Sequence, residues 1–107
     1  MAVILVHQGP TVTQENYDAT VKKLTDGKDS MESASDWPVE GILVHSAGQG
    51  PDGFRVVDVW ESEEAANAFY GSDAFGAVRE GTADMGLEST PWPLHRTEIF
   101  GAFSQTT

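Results

Sequence analysis

The sequence predicts an α+β fold of the ferredoxin-like kind, in which the order βαββαβ folds four antiparallel strands into a sheet with helices on one face. Three observations carry it: a short apolar run at the start, a glycine-rich turn between two strand-like segments, and an alternating segment that leads straight into a capped helix. The last is the most informative. In GFRVVDVWESEEAANAFY, Gly53 to Tyr70, a period of two puts Phe54, Val56, Asp58 and Trp60 on one face and Arg55, Val57, Val59 and Glu61 on the other. A carboxylate is thereby set among apolar side chains. Ser62 has the chemistry of an N-cap, Glu63 and Glu64 suit the positive end of the helix dipole, and Ala65, Ala66, Ala68 and Phe69 continue the helix.

The remaining elements follow in order. Ala2 to His7 is a β-branched apolar run closed by Gly9-Pro10, which reads as a buried first strand. Thr13 caps a helix whose Tyr17, Val21 and Leu24 recur at helical spacing and which ends near Gly27. The polar stretch GKDSMESASDWP, Gly27 to Pro38, has no sustained period; it is a loop long enough to serve as a lid. A second strand is predicted from about Val39 to Ala47, a turn through GQGPDG, and the third strand back; Pro51-Asp52-Gly53 is strong turn chemistry. After the helix that begins at Ser62, Ser72 and Asp73 offer another cap for a helical segment through Phe75, Val78 and Arg79 to about Asp84, Met85 to Pro93 is loop, and Leu94 to Phe103 alternates as the fourth strand. Two helices cover only one sheet face. The strands carry apolar residues on both, so a second copy of the chain is the simplest cover and a homodimer is expected.

Composition narrows the function classes. A chain of 107 residues makes one domain with a single core. Six basic against seventeen acidic residues give a net charge of −11, which repels phosphate backbones and anionic membranes, so neither nucleic acid nor membrane is expected as partner. The absence of cysteine removes disulfides, thiol nucleophiles and thiolate metal sites and fits a cytoplasmic protein. The apolar run at residues 2–6 is too short for a membrane span and lacks a signal peptide's basic flank.

The short apolar first strand, the hairpin, VVDVWESEEAANAF and a final strand opening with PLHR resemble the dimeric α+β barrel superfamily, and more narrowly the small proteins grouped with antibiotic biosynthesis monooxygenases. The likeness covers almost the whole chain. Members of that superfamily act as cofactor-free oxygenases on polyketide quinones, as cyclases, haem-degrading enzymes, isomerases or aldoxime dehydratases, so the resemblance implies the fold more strongly than the reaction. In the oxygenase branch Trp, Tyr, Asn and Arg surround a phenolic substrate; Trp60, Tyr70 and Arg79 are the analogous residues here, and the asparagine has no clear equivalent. In the haem-degrading branch the site uses Asn, Trp and His, where His7, Trp60 and about Tyr70 stand; only the tryptophan matches.

Read from strand ends, His7, Trp60 and His95 are expected to gather at one end of the sheet, joined by Trp37-Pro38 and Trp92-Pro93. Three tryptophans there suit a flat hydrophobic aromatic ligand. His7 and His95 are the candidate bases, with Asp58 orienting one of them; Trp60, Tyr70, Arg79, Trp37 and Trp92 are candidate substrate contacts, and His45 is a weaker one, expected near the hairpin and far from the group. The plain alternative is that the aromatics plug the core and each histidine is a strand-end residue with a backbone partner. A metal site of three histidines and Asp58 is disfavoured because His45 is expected at the wrong end. GQGPDG joins antiparallel strands and is a turn, not a phosphate loop, and no serine lies on a nucleophile elbow. The function expected is a cofactor-independent monooxygenase-like enzyme of secondary metabolism acting on an aromatic or polyketide-like substrate. The rivals are a cyclase or isomerase that uses no oxygen, and a non-catalytic or stress-associated binding dimer.

Overall fold

The computed structural model describes residues 1–31, 33–76, 91–98 and 100. Strand β1 (Val3–His7) buries Val3, Leu5 and His7 on one face and leaves Ile4 and Val6 half-covered on the other. Helix α1 (Gln14–Leu24) starts where the Thr13 hydroxyl accepts the Asn16 N–H at 3.1 Å, and it ends in a left-handed residue, Asp26 (φ 59°), followed by Gly27. A 3₁₀ turn (Ala34–Asp36) interrupts the connection to β2 (Ile42–Gly50), which turns through Pro51-Asp52 into β3 (Gly53–Trp60). Helix α2 (Glu63–Tyr70) is capped by Ser62, whose hydroxyl accepts the Ala65 N–H at 3.0 Å; residues 73–76 are again helical. Strand β4 (Trp92–Pro93) closes the described elements.

The sheet order is β2-β3-β1-β4 with every pair antiparallel, which is the ferredoxin-like arrangement. Phe54, Val56, Asp58 and Trp60 all face inward at 7, 5, 3 and 0 % exposure, and α2 lies over them, so the alternation in β3 sets its faces as the sequence suggested. Two apolar clusters fill the space between helices and sheet. Val3, Leu5, Trp60, Ala66, Phe69 and Phe75 form one, Val12, Phe54 and Val56 the other, with Tyr17 packed on it. Asp58 sits on the strand between them.

Several expectations need correction. Because β1 and β3 are antiparallel, His7 opposes Val56 while Trp60 opposes Val3, so the carboxyl ends of these strands lie at opposite ends of the sheet. Strand β4 is Trp92–Pro93 and pairs with Val3 and Ile4; Leu94 makes one more contact, its N–H donating to the Ala2 carbonyl at 2.9 Å, and His95 follows as an exposed residue away from His7. Trp92 opposes Ile4 on the outer face and is 63 % exposed, so the three tryptophans are not together. Strand β2 begins later than predicted and contains a bulge between Ile42 and Val44. That bulge decides the site. Ile42 opposes Trp60 and strict alternation from it would turn His45 outward, but the extra residue, Leu43, resets the parity and His45 opposes Asp58 on the inner face. The predicted helix through Val78 and Arg79 to Asp84, the loop from Met85, and the end of the predicted fourth strand lie wholly or partly outside the described residues; Arg79 itself is among those not described.

Candidate functional site

Asp58 is the hub of a hydrogen-bonded chain of five side chains drawn from five elements. Its Oδ1 is 2.6 Å from His45 Nδ1, and His45 Nε2 is 2.6 Å from the Tyr17 hydroxyl on α1. Its Oδ2 accepts the Tyr70 hydroxyl at 3.1 Å and lies 3.5 Å from His7 Nε2, while that nitrogen is 2.6 Å from the Tyr70 oxygen. His7 reaches Asp58 as a diagonal neighbour across the β1–β3 ladder, since Leu5 is the residue directly opposite.

Burial alone would raise the Asp58 carboxyl, yet hydrogen bonds from His45 and His7 outweigh it and hold the group below its ordinary value. An ionised Asp58 accepts only. His45 must then carry its proton on Nδ1, which leaves Nε2 as a lone pair that accepts the Tyr17 O–H. On the other arm Tyr70 gives its one proton to Asp58, so the short His7–Tyr70 contact requires His7 to donate from Nε2. The two imidazoles therefore end in opposite proton polarity, each against a phenol: His45 Nε2 accepts from Tyr17 and His7 Nε2 donates to Tyr70. Burial, then the charge of Asp58, pushes the Tyr17 phenol up to about 12 and the Tyr70 phenol well above its usual value, so both are neutral hydrogen-bond donors near neutral pH.

These five residues line a cavity of about 50 Å³ between helices and sheet, closed on the apolar side by Leu24, Met31, Trp37, Phe69 and Phe75. Trp37 stands edge-on to His45, Trp60 and Phe69, with ring centres 4.9, 5.7 and 5.3 Å away. Trp60 stacks on Phe69, and its indole N–H is buried. A wider groove of about 280 Å³ runs along the β2–β3 hairpin by Gln49, Arg55 and Val57, distant from this chemistry.

Of the residues singled out in the sequence, His7, Asp58, Trp60, Tyr70 and Trp37 come together, His95 and Trp92 do not, and His45 enters the centre against expectation. Both imidazoles are directed at Asp58 or a phenol, and among the described residues no group of three or more His, Asp or Glu is arranged to hold a metal ion. Tyr17, which the sequence shows only as a member of the helical repeat with Val21 and Leu24, joins the centre as well. The signal available for it was its hydroxyl, which seeks a partner when the ring is buried.

No protein-family model matches the sequence, and no curated protein matches it significantly. Solved structures do. A protein of Bacteroides thetaiotaomicron provisionally named an antibiotic biosynthesis monooxygenase aligns over 96 % of both chains with a TM-score of 0.56 and 16 % identity. One from Deinococcus radiodurans with the same provisional name aligns over 94 % of this chain and all of the other, with a TM-score of 0.51 and 13 % identity. The chain thus has the fold of these small α+β proteins.

Proposed function

We propose that this protein is a cofactor-independent enzyme of the monooxygenase type that removes a proton from an aromatic, polyketide-like phenol or ring ketone, with His45 as general base. The observation that carries the reading is the buried chain Tyr17–His45–Asp58–Tyr70–His7 beside an apolar cavity, in which the Tyr17 hydroxyl that lines the cavity is backed by His45 and His45 by Asp58. Asp58 fixes the tautomer and orientation of His45 and stabilises the imidazolium formed when Nε2 takes the Tyr17 proton as the Tyr17 oxygen takes the substrate's. On the other arm the Tyr70 proton goes to Asp58 and the His7 proton to Tyr70, so this pair holds Asp58 in place for His45.

With no bound redox group in this scheme, the electrons come from the deprotonated ring. Dioxygen adds to the electron-rich carbon of an activated methylene; one oxygen atom remains as a carbonyl, the other leaves as water with the two methylene hydrogens, and no external reductant is required. The test is oxygen uptake with a panel of phenols and acidic ring ketones. Turnover should fall by roughly 10²- to 10⁴-fold in His45→Gln, the usual contribution of a general base. Deuterium exchange into the methylene without oxygen uptake would assign a cyclase or isomerase to the same residues. Binding with neither would leave a ligand-binding protein.

A further inference from the structure

The cavity is too small for the ligand that its chemistry suits. About 50 Å³ holds a water or two, whereas pockets for ring-sized ligands run to roughly 300 Å³ and more. The space a ring would need beside the titratable chain is filled by a side chain of the protein itself. We propose that the Trp37 indole occupies the ring subsite of this cavity and that an aromatic ligand binds by displacing it, which makes Trp37 the residue that sets what size of ring enters. The proposal deepens the functional reading above and rests on the same cavity.

Three observations single out Trp37. Its ring lies where a stacked substrate would, against His45 on one side and the Trp60–Phe69 pair on the other. Trp60, Phe69 and Phe75 are 0, 3 and 5 % exposed and belong to β3, α2 and the helical residues 73–76, whereas Trp37 is half-buried and belongs to neither helix nor strand. An exposed ion pair, Lys22 to Asp29 at 3.7 Å, links its segment to α1, whereas Lys28 to Asp36 at 2.9 Å and the Asp36 N–H to Ser33 carbonyl turn at 3.1 Å lie within the segment itself. Exposed pairs of this kind hold a segment weakly. Swinging one indole out costs the core no strand or helix.

Displacement predicts a competition that ordinary packing does not. If the protein's own ring must leave first, the apparent affinity for an external ring is reduced by the fraction of molecules in which it is absent. The probe is 1-naphthol, titrated calorimetrically into wild type, Trp37→Ala and Trp37→Phe. Trp37→Ala should bind it about tenfold more tightly or better, with Trp37→Phe in between, and bound naphthol should shift the His45 and Tyr70 resonances. In wild type, saturation should move the Trp37 indole N–H signal toward its solvent-exposed position. Equal or weaker binding by a folded Trp37→Ala, or tighter binding that leaves His45 and Tyr70 unshifted, would overturn the proposal. Should Trp37→Ala fail to fold, Trp37→Phe decides by the same criterion. Because binding is read without turnover, tightened binding with neither oxygen uptake nor proton exchange would reject the catalytic reading and keep the subsite.

Discussion

Asp58 satisfies two imidazoles and a phenol at once, and it is 3 % exposed. A buried carboxylate shared in this way contributes little net stability in place but is costly to disrupt, because its partners stay behind unpaired. Asp58→Asn keeps the volume and replaces an acceptor that orients His45 by a group that also donates. We expect a loss of about 1–3 kcal/mol in denaturant unfolding and a fall in turnover at least as large as that of His45→Gln, since both arms lose their anchor. The pH dependence has a definite sign. The folded-state value of Asp58 is depressed, so its contribution is complete above the unfolded carboxylate value of about 4 and is lost as pH falls through the folded value. Tyr17 is shifted the other way; its contribution is complete below about pH 10 and is lost as pH rises toward about 12. Unfolding free energies measured across pH should decline at both ends, and Tyr17→Phe should flatten the alkaline decline.

At the scale of elements, the Ser62 cap and the glycine at the β2 entrance hold α2, and with it Phe69 and Tyr70, against the sheet. Ser62→Ala should cost about 1 kcal/mol, the usual value of an N-cap hydroxyl. Gly41 is a sharper case. Its φ of +116° is unfavourable for any other residue, and a Cβ built there would stand 2.7 Å from Ala65 Cβ on α2. Gly41→Ala should lower the melting temperature more than Ser62→Ala and should also weaken the Tyr70–Asp58 contact, visible as a shift of the Tyr70 resonance. Local signals of this kind explain why the hairpin, both helices and the inner face of β3 were legible in the sequence. Alternation identifies which residues share a face of one strand, and capping chemistry identifies where a helix begins. Neither reports which strands are neighbours. The error over His7, Trp60 and His95 came from strand direction, and the misplacement of His45 came from strand bounds: β2 runs Ile42–Gly50, three residues further than expected, so His45 lies well before the hairpin, opposite Asp58, and the bulge at Leu43 turns it inward.

For the whole molecule, the unsettled surface is the outer face of the sheet. Ile4, Val6, Val44 and Val57 are only half-covered there, and Trp92, opposite Ile4, is 63 % exposed. The face is not uniformly bare, since Val59 on it is 4 % exposed. An apolar strip with an exposed tryptophan is still what a protein of net charge −11 would hide from water, and a second copy presenting the same strip covers it by two-fold symmetry. We propose that the protein is a homodimer joined through this face, with the titratable cavity of each copy on the far side of its sheet. Like charge on both copies opposes association and is screened by salt, so the dimer should tighten as ionic strength rises, opposite to an interface held by ion pairs. Light scattering at micromolar concentration should give twice the 11.5 kDa chain mass. Trp92→Glu adds a charge at an exposed edge position and should yield a monomer with unchanged helix and strand content by circular dichroism. Because the cavity lies between sheet and helices within one chain, that monomer should retain naphthol binding. A wild-type monomer at these concentrations, or a Trp92→Glu dimer of unchanged stability, would remove the outer face as the interface.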